Sequence, residues 1–482
     1  MFKRTSLLFF LIIFSALVAV FIWYIRLTPA GTWYGFSAGG GGKIRVALVI
    51  VKLIDGTYSV IATGVDANYE HTFINVTAKK ASIHGDDDSG TSFDLKMDLS
   101  GRSLSGQWKI QSNTYNLNLK RGKNFIVPRV NFNDRATLEY SYKIPRKMSD
   151  GLETADIQSN GGNLQKNVEG IQQILESNYP NIHSLVVLRH GKLVLEEYFY
   201  GYGPQDEHPL QSATKSVLSV LFGIAQDQGL VNAKDKLYDY YPEYRNKPGW
   251  SKKKNNITLG NLLSMTSGFA CDDFFPQTDC HFEMFKTNDW LNFILSQPMN
   301  NKPGDHWAYC NDCMELLGAV IARKSGMSIP NFAEKYLYEP MGIKAHYWFT
   351  GPHQVTEVCG SHWLKPRDMV KLGYLYLKKG DWEGKRIVSE NWVMESTKPQ
   401  ANTPRDKPRT FDYGYLWWLE KMPYKGRKIS VFYANGLGNQ YIFVVPDLDL
   451  VCVITAGNFK NSNVDHNPGL DLFKDHLLGS FD

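Results

Sequence analysis

No cysteine precedes Cys271, no second C-x-x-C accompanies Cys310 and Cys313, and neither sign of charge dominates a chain of 482 residues with net charge +5. Each shortage removes a class of function. So small a charge gives no electrostatic reason to expect nucleic acid or an acidic polymer as partner. A single C-x-x-C, with His281 and His306 outside any ligand-like spacing, does not make a zinc site, and no metal or cofactor is expected. The run Gly39 to Gly42 is followed by no helix and no Lys-Ser/Thr pair, so it reads as a turn and not as a phosphate cradle. Asp272, Asp273 and Asp279 match no calcium loop. Lys252, Lys253 and Lys254, beside Asn255 and Asn256, read as a solvated basic loop.

Only one stretch is long and apolar. It runs from Leu7 to Ile25, is preceded by Lys3 and Arg4, and ends at Trp23, Tyr24 and Arg26. A helix of that length spans a bilayer core of roughly 30 Å, and the leading positive charges put its start in the cytoplasm. A cleaved signal peptide with a cut near Ala30 is the competing reading, and the lack of a small-x-small site before Ile25 favours the anchor. Either way the remainder is exported, to a periplasmic or other extracytoplasmic space. In that setting the six cysteines are better explained by disulfides than by redox chemistry. Cys271 and Cys280 share one loop and Cys310 and Cys313 open the next helix, so cross-pairing between the two places is expected, with connectivity left open.

The chain divides into residues 1–30 (anchor or signal), 31–122 (all-β), 123–160 (connector) and 161–482 (mixed). Residues 31–122 show alternating runs such as 44–50 and 58–62, separated by turn clusters, and aromatic residues near both ends. That pattern fits a small barrel or sandwich. From Asn163 apolar residues fall at helical spacing (Val168, Ile171, Ile174, Leu175), then strands follow at 184–188 and 192–200. Helices and long loops lead to strands at 413–419, 428–434, 441–445 and 450–455, then to a last amphipathic helix at 469–478. Strands at both ends with helices between imply an α+β domain, one antiparallel sheet flanked by a helical region.

The chemistry concentrates in three places. Ser212 and Lys215 stand at i and i+3 where an apolar helix opens, so their side chains share a face. Amides at the helix start favour a developing oxyanion there. A partly buried lysine is expected to have a lowered pKa and so to take the serine proton. Taken alone, Ser-x-x-Lys is weak, for Ser251 to Lys254 has the same spacing. Tyr309, in the turn before a helix beginning near Met314, is placed to shuttle a proton, and Asn311 to seat a substrate carbonyl. The third place is the break 434–440, where Asn435, Gly436, Leu437 and Gly438 let a substrate backbone lie close to a strand edge. A main-chain N–H there would complete an oxyanion hole with that of Ser212.

Ser-x-x-Lys, Tyr-x-Asn and a glycine-rich strand edge, in that order, resemble the class C β-lactamase and penicillin-binding-protein-like serine hydrolases. The esterase and 6-aminohexanoate-oligomer hydrolase branch is the most similar. Segments 257–268 and 364–373 add local matches, and the resemblance covers roughly residues 145–480. It implies a β-lactamase/transpeptidase-like fold, with Ser212 acylated, Lys215 the base, Tyr309 the second proton carrier and Asn311 a substrate contact. The family's Lys-Thr-Gly or His-Thr-Gly is replaced by Ala434, Asn435 and Gly436. Without that cation a substrate carboxylate loses its partner, so a neutral ester or amide is the expected substrate. The alternatives are a penicillin-binding-like sensor or envelope-binding protein without significant turnover, and an adaptor whose β-domain binds lipid. Trp417 and Trp418 read as core and rim, His362 as a hydrogen-bonded or surface histidine, and Cys359 to Ser361 as a possible cleft wall; a cysteine nucleophile would need a partnered histidine.

Overall fold

The computed structural model describes residues 31–121 except 40–41, 53–57, 65–68, 80–81, 87–91, 99–101 and 111–112, and residues 140–482 except 177, 200–201, 246, 274–279, 345, 404–410 and 459–466. The apolar run 7–25 lies outside the described residues, and among those no helix is long and apolar enough to cross a membrane. The chain forms two compact units, Met1–Val127 and Pro128–Asp482.

In the first unit eight strands form a closed antiparallel barrel: β1 (Gly31–Gly39), β2 (Gly42–Lys52), β3 (Tyr58–Gly64), β4 (Tyr69–Lys79), β5 (Ser82–Asp86), β6 (Ser92–Met97), β7 (Ser103–Ile110) and β8 (Asn113–Arg121). Closure comes from β1, which pairs with both β2 and β8. Period-2 alternation sets its inside. Phe93, Leu95 and Met97 of β6 are buried and their neighbours exposed, and Leu104, Trp108, Leu117 and Leu119 meet them in the interior.

The second unit is α+β. Its nine-stranded sheet uses β9 (Glu153–Thr154), β10 (Ile182–Arg189), β11 (Lys192–Tyr198), β12 (Ala401–Asn402), β13 (Asp412–Tyr413), β14 (Trp418–Tyr424), β15 (Arg427–Gly436), β16 (Gln440–Val445) and β17 (Leu450–Ala456). Their order is β12-β13-β14-β15-β16-β17-β10-β11-β9, so the last strand lies beside the first long one. Every pairing is antiparallel except the short edge pair β9–β11. The strand expected at 413–419 is split into β13 and β14 because Leu416 adopts φ +64° between them.

Four helices matter for the site: α1 (Leu164–Leu175), α2 (Thr214–Asp227), α3 (Cys313–Ser325) and α4 (Pro366–Leu377). Asn163 starts α1 by accepting the Lys166 amide, as an N-cap should. Helix α2 buries every residue from Thr214 to Ala225, which its apolar character all round requires. Helix α4 lies close on the sheet because Gly373 has no side chain; a Cβ there would come within 2.5 Å of Val451.

Arg367 of α4 joins the domain's margins. Its guanidinium grips Glu196 of β11 at 2.6 and 2.5 Å, Asp150 at 2.8 Å and the Arg146 carbonyl at 2.6 Å. Both Arg367 and Glu196 are buried there. Arg367→Met should therefore destabilise the second unit by about 3–5 kcal/mol, because it strands buried carboxylates. A fall in the urea midpoint with unchanged slope is the expected reading; an unmoved midpoint would refute it.

Two expectations fail here. Lys254 is no part of a solvated loop. It is wholly buried, donates to the carbonyls of Gly249 at 2.6 Å and Leu295 at 2.7 Å, and burial pushes its pKa down to about 8. The cysteines do not cross-pair: Cys271 bonds Cys280 and Cys310 bonds Cys313, each within its own segment.

Candidate active site

Ser212 lies in a 3-10 turn, Gln211–Ala213, that runs directly into α2. Gln211 before it is held at φ +49°, a left-handed conformation costly for a residue with a side chain. The carbonyl of His362 accepts the Leu210 amide at 2.8 Å and steadies the approach to this turn. One turn on, Lys215 is 1% exposed and its Nζ donates to Ser212 Oγ at 3.0 Å. A second Nζ proton goes to the Cys359 carbonyl oxygen at 2.7 Å.

Tyr309 comes from the opposite wall. Its ring centroid is 5.0 Å from Lys215 Nζ, and its presence raises the Lys215 pKa. The turn carrying it is pinned on several sides. Asp273 donates its amide to the Tyr309 carbonyl at 2.8 Å and accepts the Asn311 amide at 2.7 Å. The Ala308 amide donates to Met265, and the Cys310–Cys313 disulfide closes the entry to α3. Asp273 is thus a clamp on this turn, and burial pushes its pKa up to about 6. Asn311, expected to contact substrate, follows on the same turn, and its buried side-chain oxygen has no hydrogen-bond partner among the described residues. Trp418 stacks near Tyr309 at 6.2 Å between centroids, and Trp307 leans on both.

The third element arrives at the end of β15. Gly436 lies so close to the serine turn that a Cβ on it would stand 2.1 Å from the Leu210 carbonyl oxygen and 3.1 Å from Gln211 Cβ. Asn435 pairs with Tyr441 across β16, while Leu437 is 49% exposed at the tip and Gly438 turns with φ +80°. Gln440 clasps this hairpin, donating to the carbonyls of Leu437 at 3.2 Å and Ala456 at 2.6 Å. Ala434, where a cation would otherwise stand, is fully buried. The structure therefore brings Ser212, Lys215 and Tyr309 together and puts the Gly436 edge against the serine turn.

The electrostatics depart from the sequence expectation. Burial pulls the Lys215 pKa down, yet its interactions with Tyr309, Cys359 and Glu357 outweigh burial, and the pKa lies above its ordinary value. Behind Lys215 lie groups that sequence reasoning missed. Glu315 of α3 accepts the Val358 amide at 3.0 Å, and Glu357 accepts the Cys359 amide at 2.9 Å and its thiol at 2.7 Å. Burial lifts the Glu315 pKa well above the carboxylate range. His281 lies 3.9 Å from the Cys359 sulfur and bonds Asp312 at 2.9 Å. This partnered histidine does not make Cys359 a nucleophile, because burial raises the thiol pKa well above its ordinary value. Glu315, Glu357 and Cys359 are also near enough for a metal ion, but backbone amides and the thiol already occupy Glu315 and one oxygen of Glu357. No local spacing links Glu315 or Glu357 to Lys215; their proximity to it could be read only from the fold.

His362 is buried, stacked 3.8 Å from Trp348 and bonded to Tyr338 at 2.7 Å. Trp417 is core, packed on Tyr376, whereas Trp418 borders the tyrosine.

A profile of the Beta-lactamase family matches residues 176–473. Penicillin-binding protein 4* of Bacillus subtilis is 22% identical over 359 residues, covering 66% of this chain and 76% of that protein. A solved structure described as a 6-aminohexanoate-dimer hydrolase from Bacillus anthracis superposes with TM-score 0.53 at 18% identity, over 63% of this chain and 80% of that one. A family VIII carboxylesterase gives TM-score 0.52 at 15% identity, over 65% of this chain and 96% of its own. At such identities the two structures speak for the fold alone.

Proposed function

Since this chain belongs to the Beta-lactamase family of serine hydrolases, we propose that it cleaves neutral esters or amides through an acyl-enzyme on Ser212, with Lys215 and Tyr309 as proton carriers. The observation that carries this reading is the contact of Lys215 Nζ with Ser212 Oγ at 3.0 Å, with Tyr309 against the same nitrogen.

One member of the Lys215–Tyr309 pair, having first shed its own proton to solvent, takes the serine proton as base while the other stays protonated beside it. Ser212 Oγ bonds the acyl carbon, the carbonyl electrons move to oxygen, and main-chain amides at Ser212 and the 436–438 edge receive that charge. The leaving alcohol or amine departs with the proton. Water then takes the same route in reverse order, releasing the acid and restoring Ser212. Asn311, with its unpartnered oxygen, and the Asn435–Gly438 edge hold the substrate.

Neutral acyl groups are favoured by what surrounds the tyrosine. Trp307 and Trp418 are buried apolar rings packed around Tyr309, and the buried methyl of Ala434 takes the place of a carboxylate-binding cation. We place the enzyme outside the cytoplasm, anchored through residues 7–25, a location that the two disulfides favour. The test compares p-nitrophenyl butyrate with benzylpenicillin. The ester's kcat/KM should exceed that for the carboxylate-bearing β-lactam on the order of 100-fold, the scale of a lost buried charge partner. A β-lactam rate equal to or above the ester rate would overturn the neutral-substrate assignment.

A further inference from the structure

We propose that Glu315 and Glu357 are positioning residues for Lys215, which they serve by holding the Val358–Cys359 segment so that the Cys359 carbonyl fixes one Nζ proton and leaves the rest of the ammonium for Ser212 and Tyr309. The proposal rests on the reading of Lys215 as a proton carrier.

An ammonium has three N–H donors, and its usefulness depends on where they point. Here one is given to Ser212 Oγ and one to the Cys359 carbonyl, and the Tyr309 ring lies 5.0 Å from the same nitrogen. A carbonyl oxygen only accepts, so the proton facing it cannot be the one exchanged. When Lys215 gives up a proton, the lone pair so created must face Ser212 or Tyr309. The carbonyl therefore sets the rotation of Nζ, provided that the carbonyl itself is immobile.

That immobility is what the two glutamates supply. Glu357 grips Cys359 twice, at its amide (2.9 Å) and its thiol (2.7 Å), which leaves little freedom for the carbonyl of the same residue. Glu315 reaches across from α3 to the Val358 amide with both oxygens, at 3.0 and 3.3 Å. Both glutamates are 1% exposed or less, an expensive place for two carboxyls that only closed a surface loop. The groups facing Lys215 are Ser212 and Tyr309, then Cys359, Glu357 and Glu315, with Asp273 and the His281–Asp312 pair beyond. Burial pushes the Glu315 pKa well above its ordinary value, and Glu357 is among the groups that raise that of Lys215.

Glu357→Ala and Glu357→Gln in the full chain separate position from charge. The alanine variant should lose kcat for p-nitrophenyl butyrate on the order of 100-fold with little change in KM, the scale of a misplaced catalytic group. The glutamine variant keeps an oxygen for the Cys359 amide and should lose less. Its charge is gone, however, so the Lys215 limb of the pH–kcat profile should move to lower pH, the opposite of the present upward shift. Thermal melts that fall while kcat per titrated serine and the pH profile stay at parent values would reduce the glutamates to structural groups and overturn the proposal. If neither variant folds, Glu315→Leu removes the Val358 acceptor at similar volume, with the same two readings on kcat. Ser212→Ala run beside them distinguishes the failures. A parental rate in that variant sinks the Ser212 mechanism and this proposal together; an inactive Ser212→Ala beside unperturbed glutamate variants sinks the positioning role alone.

Discussion

Ser212→Ala should reduce ester turnover on the order of 10⁴-fold or more and abolish covalent labelling by a fluorophosphonate. The expectation follows from where the serine stands: in a tight turn preceded by a left-handed Gln211, its oxygen accepting a hydrogen bond from Lys215 Nζ. Lys215→Ala and Tyr309→Phe should each cost on the order of 10²–10⁴-fold. The losses should not add, because the three groups move one proton between them. Labelling and turnover must disappear together. Full labelling of Ser212→Ala would put the nucleophile elsewhere, and turnover equal to background in the parent would leave a binding protein.

Gly436→Ala is the second substitution with a large expected effect. A Cβ at this position would stand 2.1 Å from the Leu210 carbonyl oxygen, so the strand end or the serine turn must retreat. Neither retreats freely, for β15 is paired on both sides and the Leu210 amide is tied to His362. A displacement near an ångström between nucleophile and strand edge should cost kcat on the order of 100-fold. The melting temperature should fall as well. Activity per folded molecule within about twofold of the parent would show that the edge has no part in the reaction.

How far the sequence could be read depended on whether the physics was local. Ser212 and Lys215 were legible because a spacing of three on a helix brings side chains together wherever the helix lies. Tyr309 was legible because it ends a loop at the mouth of α3, and the strands β10, β11 and β15 to β17 because their apolar runs are bounded by turns, whereas the strand expected at 413–419 was displaced by the left-handed Leu416. The Cys359 carbonyl was not, since it meets Lys215 across 144 residues and a main-chain oxygen leaves no mark in a sequence. Lys254 misled for a related reason: its side chain reaches inward to two carbonyls, one of them 41 residues away, and its neighbours Lys252 and Lys253 disguise it. The direction of the Lys215 pKa shift was missed because burial, the part that sequence foretells, is outweighed by groups gathered from other segments.

The position of β17 beside β10 has a consequence for biosynthesis. The sheet's middle is a joint between residues near 185 and residues near 453, so it cannot close until almost the whole unit has left the ribosome. Before then β10, apolar from Leu185 to Leu188, has an unpaired edge, and α4 has no complete surface to lie on. Such a chain folds late and through non-local contacts, which is slow and exposes it to aggregation. The same joint makes catalytic competence a property of the finished chain, because Ser212 and Gly436 become neighbours only when the sheet between them is whole.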